Sequence, residues 1–234
     1  MLALAIETSG DVAGLALATE EGLVSELDFS HRMDLLRRLM PNVDGLLGDA
    51  GRSPHDLDAV VISLGPGSFT GLRIGMAAAK SVAHVLGKPI VGVPTMDVLA
   101  HGASAARPKS IATLIHARPQ EVFWAIYRCD AGRPVRLAED RVSPVQDVMR
   151  EAKRQSKIVF CGNGAERNRE ALEAEFGPSC VLDERFHTPR AAVLASLGIE
   201  RLMRGESDDV FGLAPRYVRR PTPVVRIEAS NPRD

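Results

Sequence analysis

The residues best suited to chemistry form a glycine-rich stretch at 65–75, with the sequence Gly-Pro-Gly-Ser-Phe-Thr-Gly-Leu-Arg-Ile-Gly. It lies between an apolar run at 59–64, which predicts a buried strand, and a helical pattern at 76–86 that ends at Gly87. At such a turn, free backbone N–H groups and the helix dipole both favour an anion. We therefore predict a nucleotide or anion loop. Its first candidate residues are two glycines and two hydroxyls that can cap the helix: Gly65, Gly67, Ser68 and Thr70.

The stretch departs from both common phosphate-binding motifs. A P-loop ends in Gly-Lys-Ser/Thr, whereas this chain has Gly71, Leu72 and Arg73 there. The dinucleotide-binding pattern Gly-x-Gly-x-x-Gly also fails, because Thr70 stands where its third glycine belongs. The alternative, a tight turn that binds nothing, therefore stays open.

Small residues recur at spacings of three and four along the following helix, at Gly71, Gly75, Ala78 and Ala79. They lie on one helix face. Glycine inside a helix costs roughly 0.5–1 kcal/mol relative to alanine, so two glycines indicate that another backbone comes close. That backbone belongs either to the sheet below or to another chain.

The composition is typical of a soluble globular protein. Of 234 residues, 45% are hydrophobic and 25% charged, which allows one large or two small domains. The net charge is −1 and aromatic residues make up 4%, so neither a broad positive field nor many stacking rings are indicated. Direct, autonomous binding to nucleic acid is not predicted.

The cysteines and the first residues indicate a cytoplasmic protein without a membrane segment. Cys129, Cys161 and Cys180 are widely spaced, as is typical of reduced thiols. The apolar start is interrupted by Glu7 and lacks a basic region, so it does not resemble a signal peptide. No apolar run approaches the ~18 residues that a membrane helix needs.

The periodicity of apolar residues predicts alternating strands and helices. Strands are expected at 2–6, 13–19, 23–29, 59–64, 88–93, 111–115, 121–128, 134–142 and 157–161. Helices are expected at 31–50, 76–86, 96–105, 143–155, 165–176 and 190–204. We expect Ser30 and Thr95 to cap helices, and Pro41 to cause a kink or a fresh helix start. His31 is expected at a helix end rather than at a metal.

The glycine-rich stretch, followed by Ala79-Lys80, resembles the signature of the TsaB (YeaZ) family. The resemblance covers most of the chain through weaker segments at 4–9, 31–41, 117–123 and 215–219. The chain departs from the family pattern where Glu7 replaces a usual Asp, and where His116 and Pro119 replace an Asp and an Arg. The resemblance therefore carries over no role that needs an acid at 116 or a second arginine at 119.

The resemblance implies an α/β fold of the actin-like ATPase (ASKHA, RNase H-like) architecture, with two lobes whose mixed sheets are flanked by helices. We place an N-terminal lobe at 1–106, a linker at 107–109 and a smaller C-terminal lobe with a basic tail within 107–234. In catalytic members of that superfamily the first polar turn faces phosphates, which adds Thr8 and Ser9 to the candidate loop. An ordinary polar turn is the alternative.

The resemblance also implies a function. The chain would be a non-catalytic subunit of the complex that makes N6-threonylcarbamoyladenosine at position 37 of tRNAs reading ANN codons. It would dock and activate a TsaD-type transferase, with help from a TsaE-type ATPase and from a TsaC-type enzyme that supplies the carbamoyl adenylate. tRNA would bind through the complex, and ATP and a metal would belong to the partners. In the TsaD family a His-x-x-x-His helix holds a metal, whereas this chain has Thr95 and Leu99 at those positions.

We expect the partner surface to combine the helix at 31–50 with the small-residue helix face, and the same surface to form a homodimer when the partner is missing. Its candidate residues are Leu36, Met40, Gly71, Gly75, Ala78 and Ala79. No catalytic residue, metal or firmly bound cofactor is assigned to this chain.

One alternative function stays open. It is a small ATPase or phosphotransferase of the same fold, with Glu7, Thr8 and Ser9 near the phosphates. A peptidase is disfavoured because no nucleophile and base can be paired.

The tail carries arginines that either contact RNA or an acidic partner, or are simply solvated. They are Arg216, Arg219, Arg220 and Arg226.

Overall fold

The strands form two mixed sheets in the computed structural model, which describes residues 1–30, 34–216 and 218. In chain order they are β1 Ala3–Glu7, β2 Val12–Thr19, β3 Gly22–Ser30, β4 Ala59–Ser63, β5 Ile90–Val93, β6 Ser110–Arg118, β7 Glu121–Asp130, β8 Arg133–Arg136, β9 Arg141–Pro144 and β10 Ile158–Cys161. The first sheet has the order β3-β2-β1-β4-β5. β1, β2 and β3 are antiparallel neighbours, whereas β1, β4 and β5 run parallel.

Helices cover both faces of each sheet. They are α1 Leu35–Asp49, α2 Phe69–Leu86, α3 Thr95–Ala103, α4 Val145–Ala152, α5 Asn163–Arg167, α6 Arg169–Phe176 and α7 Ala191–Met203. Among the described residues, no helix is both long enough and apolar enough to cross a bilayer.

The two faces of the first sheet differ in side-chain size because neighbouring strand residues point to opposite sides. Leu4 and Ile6 of β1 belong to the core cluster beneath α1 and α2. Ala3 and Ala5 belong to the cluster with α7, where Ala195 packs against the sheet. The small alanines allow α7 to lie close to the strands.

The second sheet is centred on β6 and β7. β10 pairs with β6 in parallel, and β6 pairs with β7 in antiparallel register. β8 and β9 both pair with β7, at its end and its beginning respectively. Apolar residues of α3 pack on one face of this sheet, and those of α4, α5 and α6 pack on the other.

This topology confirms the predicted actin-like α/β architecture, with two lobes whose mixed sheets are flanked by helices. The division at residues 106 and 107 stays a prediction. The helix α7 lies within 107–234, yet it packs against β1 and β2 of the first sheet. The chain therefore returns to its first lobe before it ends.

Several predicted boundaries are wrong. Ser30 ends β3 instead of capping a helix, and α1 begins after Asp34 and continues through Pro41 without a fresh start. Thr95 is the first residue of α3, with Pro94 as its N-cap. The segment 134–142 contains parts of two strands, and 165–176 contains parts of two helices. The expectation for His31 lies outside the described residues.

Candidate functional site

The helix α2 begins at Phe69, inside the glycine-rich stretch rather than at 76 as the sequence pattern predicts. Its N-cap is Ser68, whose Oγ accepts a hydrogen bond from the N–H of Gly71 at 3.2 Å. This bond satisfies one of the N–H groups that the start of a helix leaves free. At the other end Gly87 has φ 63° and ends the helix, as predicted.

The glycines of α2 and of its preceding loop pack against the turn that follows β1. A Cβ at Gly67 would collide with the carbonyl oxygen of Ser9, and one at Gly71 with the carbonyl oxygen of Thr8. One turn further, a Cβ at Gly75 would collide with the hydroxyl of Thr8. The close approach indicated by the small residues is therefore made to the chain's own first turn.

A buried carboxyl group lies at the base of this contact. Glu7 ends β1 and is fully buried, and its Oε1 accepts a hydrogen bond from the N–H of Ser9 at 2.7 Å. Burial raises the pKa of Glu7 to about 7, because the ionised carboxylate loses its hydration. The Ser9 carbonyl in turn accepts a hydrogen bond from the N–H of Ser68 at 2.7 Å. Glu7, the turn and the start of α2 thus form one hydrogen-bonded unit.

A cleft of about 600 Å³ lies beside this unit, between the two lobes. Ser9, Gly67 and Ser68 contribute to its first wall. The apolar part of the lining comes from both lobes and includes Leu72, Ile115, Phe123 and Val142. Such a volume is within the range of small-molecule sites, which is roughly 300–1,000 Å³.

The opposite wall of the cleft carries Arg118 and Arg167, here called the arginine wall, and Arg216 lines the cleft beside Gly65 of the first lobe. Arg118 ends β6, Arg167 ends α5, and Arg216 follows α7. All three are exposed, and none forms an ion pair with another residue that the structure describes. The N–H of Arg216 donates to the carbonyl oxygen of Leu64 at 2.8 Å, which fixes the backbone at this edge. Among the described residues that line the cleft, Asp11 supplies the acidic side chain.

The predicted anion-loop residues divide into three groups. Three of them line the cleft, namely Ser9, Gly67 and Ser68. Thr8 is buried beneath α2, and Gly65 is buried behind the cleft with φ 91°. Thr70 is exposed but lies outside the lining. Whether this loop binds an anion stays a prediction.

The arginine wall was not identified from the sequence. The sequence indicates Arg118 only as part of a family segment and Arg216 only as part of the basic tail, and no local pattern indicates Arg167. The signal for two of them is that Arg118 ends β6 and Arg167 follows β10, because parallel strands end at the same edge of a sheet. That signal requires knowing that β6 and β10 are neighbours. The tail residues Arg219, Arg220 and Arg226 lie outside the described residues.

The predicted partner surface also divides. Leu36 and Met40 are 74% and 38% exposed and lie one turn apart on α1. The other four residues are wholly or partly buried, namely Gly71, Gly75, Ala78 and Ala79. Within this chain the small-residue face packs against Thr8 and the first core cluster, and a partner surface at these four residues stays a prediction. A partner surface at Leu36 and Met40 stays a prediction.

The region around α3 is occupied by a polar network. Thr95 and Leu99 are both buried. Between them, Asp97 accepts hydrogen bonds from the hydroxyl of Tyr127 at 2.8 Å and from Nη2 of Arg136 at 2.7 Å. Asp97 therefore ties α3 to the second sheet. Within the described ranges, no group of three or more His, Cys, Asp or Glu residues is placed to hold a metal.

The comparisons with known proteins agree with this architecture. A family model described as TsaD, tRNA N6-adenosine threonylcarbamoyltransferase, matches residues 32–221. The chain is 31% identical over 221 residues to the tRNA threonylcarbamoyladenosine biosynthesis protein TsaB of Bacillus subtilis, and the match covers 94% of each chain. It is 34% identical over 131 residues to TsaB of Escherichia coli, covering 56% of each chain. The solved structure of YeaZ from Pseudomonas aeruginosa superimposes with a TM-score of 0.75 at 26% identity, over 92% of this chain and 99% of that one.

The fold and the interlobe cleft define an actin-like α/β protein. The family match over most of the chain and the identity to TsaB over nearly all of it make the class more specific. The chain belongs to the family described by that model, and within it to the TsaB (YeaZ) proteins.

Proposed function

We propose that this protein is a non-catalytic subunit of the cytoplasmic complex that makes N6-threonylcarbamoyladenosine in tRNA. The observation that carries the proposal is the 31% identity to Bacillus subtilis TsaB, which is named for this biosynthesis and matches over 94% of both chains. Similarity along the whole length supports a shared role better than a shared motif does. The modified nucleoside is expected at position 37 of tRNAs that read ANN codons.

The proposed role is to dock and activate a TsaD-type transferase. Leu36 and Met40 support this idea because large apolar side chains on an exposed helix face commonly mark a protein interface. Gly71 and Gly75 act indirectly, since they hold α2 against the first turn. A TsaE-type ATPase and tRNA would join through the complex, and the same α1 surface would pair two copies of the chain when the transferase is absent.

Depletion of the protein tests the proposal. Bulk tRNA from depleted cells is hydrolysed to nucleosides, and N6-threonylcarbamoyladenosine is quantified by mass spectrometry against unmodified adenosine. The modified nucleoside is expected to fall and to be restored by the wild-type chain. A Leu36→Asp, Met40→Asp double variant that accumulates as a folded protein is expected not to restore it.

A variant with two exposed substitutions elsewhere gives the matched control. Leu23 and Val24 are 53% and 44% exposed on β3, so Leu23→Asp, Val24→Asp adds the same two charges away from α1. It is expected to restore the nucleoside. An unchanged content of N6-threonylcarbamoyladenosine after verified depletion would overturn the proposal.

A further inference from the structure

A group of cations lies at the end of the second sheet that is opposite to the interlobe cleft. The cleft is lined by the carboxyl end of β6, at residues 115–118, whereas the cations surround the amino end of that strand. All of them are exposed to solvent. The group, here called the basic edge, consists of Arg107, Lys109, Arg128 and Lys157.

Strand pairing holds most of the basic edge together. Ser110 is the first residue of β6, and it pairs with Arg128 of β7 on one side and with Ile158 of β10 on the other. Lys109 and Lys157 directly precede two members of this row. Because adjacent strands lie about 4.8 Å apart, three of the cations leave the backbone within roughly 10 Å of one another.

The positive charge of the basic edge is not neutralised within the part of the chain that the structure describes. There, no ion pair joins any of its four side chains to an acidic residue, whereas the nearby Lys153 pairs with Glu175. Asp130, two residues after Arg128, forms no such pair either. Like charges at this spacing repel one another, and a bound anion would relieve that repulsion.

The basic edge offers charge but no ring on which a base could stack. Tyr127, next to Arg128, and Phe160 of β10 are both buried. Apolar surface comes from Val135, which pairs with Arg128 and is 44% exposed. A protein interface usually has an apolar and aromatic centre. Cations without exposed rings instead suit phosphate oxygens, as in the recognition of a double-stranded stem through its backbone.

We infer that the basic edge binds the phosphate backbone of an RNA stem, and that this stem belongs to tRNA. The choice of tRNA among polyanions rests on the proposed function, in which tRNA joins the complex. The contact is electrostatic and does not depend on base sequence. It uses the second lobe and therefore leaves Leu36 and Met40 on α1 free for the transferase.

Fluorescence anisotropy with the full chain and a labelled, unmodified tRNA tests the inference. Four phosphate contacts predict that the logarithm of the association constant falls with the logarithm of the salt concentration at a slope of about −3 to −4. Binding should therefore weaken about a hundredfold between about 50 and 200 mM KCl.

The variant Lys109→Gln, Lys157→Gln removes two of the four charges from exposed side chains, so it should fold. The slope should be about half that of the wild type, and binding in about 100 mM KCl should weaken about 50-fold. The matched control is Arg37→Gln, Arg52→Gln, which removes the same charge from exposed arginines in and just after α1. It should keep the wild-type slope and bind tRNA within about twofold of the wild type.

Competition against the labelled tRNA identifies the class of partner. An RNA duplex of about 12 base pairs is expected to displace tRNA better than a single strand of the same length does. Polyglutamate of similar charge is expected not to displace it. Displacement by polyglutamate as effective as that by the duplex would overturn the assignment to RNA in favour of an acidic protein. Equal displacement by the single strand would overturn the assignment to a stem.

The inference and the proposed function fail in different experiments. Undetectable binding in about 50 mM KCl, or a Lys109→Gln, Lys157→Gln variant that binds tRNA as the wild type does, would overturn the inference. The proposed function would then still stand, with tRNA held by the partner proteins. An unchanged content of the modified nucleoside after depletion would overturn the proposed function, whatever the affinity of the purified chain for tRNA.

Discussion

The two walls of the interlobe cleft are built on opposite principles. Gly67 on the first wall, and Gly71 and Gly75 of α2 outside the cleft lining, are packed so closely against the first turn that a Cβ would collide at each position. On the second wall, Arg118 and Arg167 are exposed and form no ion pair with the rest of the described chain. The first wall is an internal contact, whereas the second presents charge to the outside.

The difference shows that the most distinctive sequence motif of this chain makes an internal packing contact. The glycine-rich stretch is conspicuous because close packing of backbone on backbone excludes every other residue type. The arginine wall corresponds to no sequence motif, because its residues come from distant segments of the chain and share only their position at the cleft. Substitutions on the first wall should therefore change stability, and substitutions on the second should leave it intact.

The largest effect is expected from Gly75→Leu. The side chain would have to displace Thr8 and the end of β1, and overpacking of this kind should lower the free energy of unfolding by about 3 kcal/mol or more. Chemical denaturation followed by circular dichroism measures the loss. Gly45→Ala on α1 is the control, since no atom lies within 4 Å of its added Cβ, and it should be neutral or slightly stabilising. A Gly75→Leu protein as stable as the wild type would refute the packing role.

A pH-dependent effect is expected from Glu7→Gln. The pKa of Glu7 is raised from 4.5 to about 7 in the folded protein, so the folded state is favoured while the carboxyl is protonated. That stabilisation is fully present below about pH 4.5 and is lost as the pH rises through 7. Glu7→Gln should therefore match the wild type near pH 4.5 and exceed it by about 3 kcal/mol at pH 8.

The measurement for Glu7 is the free energy of unfolding of both proteins across pH 4.5–8. Exposed Glu21 gives the control, since Glu21→Gln should show no such divergence. Parallel curves for the wild type and Glu7→Gln would show that the pKa of Glu7 is the same in the folded and unfolded states, and would contradict the raised value.

A smaller effect is expected at the helix cap. Ser68→Ala removes the oxygen that accepts from the N–H of Gly71 and should cost about 1 kcal/mol. Ser68→Asp keeps an acceptor and adds a charge that the helix dipole favours, so it should retain most of the stability. Thermal unfolding of the three proteins compares them, and equal loss in both variants would argue against a capping role.

The smallest effect on stability is expected on the arginine wall. Arg118→Ala and Arg167→Ala remove exposed side chains and should change the free energy of unfolding by less than about 0.5 kcal/mol. If either variant is clearly more stable than the wild type at low ionic strength, the arginines repel one another strongly in the wild-type protein. A loss of more than 1 kcal/mol would mean that this wall is structural, and the contrast between the walls would fail.

The sequence predicts the elements of the fold better than their ends. Apolar runs such as 59–64 predict their strands, since burial on both faces of a central strand requires them. The start of α1 is missed because Ser30 is a good capping residue, yet β3 extends to it by pairing with Val12. The start of α2 is missed because its glycines have low helix propensity, which the contact with Thr8 overrides.

The candidate site is predictable only on its glycine side. Local sequence reveals the turn before the helix and Ser68 as the helix cap, but not that residues 69–75 are already helical. It cannot reveal that the small face is turned inward, since periodicity gives a face but not its neighbour. The meeting of Arg118 with Arg167 depends on the parallel pairing of β6 with β10, which is a property of the folded chain.

The most direct test of the central claim is reconstitution of tRNA modification from purified components. The assay contains a TsaD-type transferase, a TsaE-type ATPase and a TsaC-type enzyme, with ATP, threonine, bicarbonate and an unmodified tRNA, and it measures N6-threonylcarbamoyladenosine by mass spectrometry. Formation of the nucleoside should require the wild-type chain and fail with the folded Leu36→Asp, Met40→Asp variant. Equal formation without the chain would contradict the proposal that it is a necessary subunit.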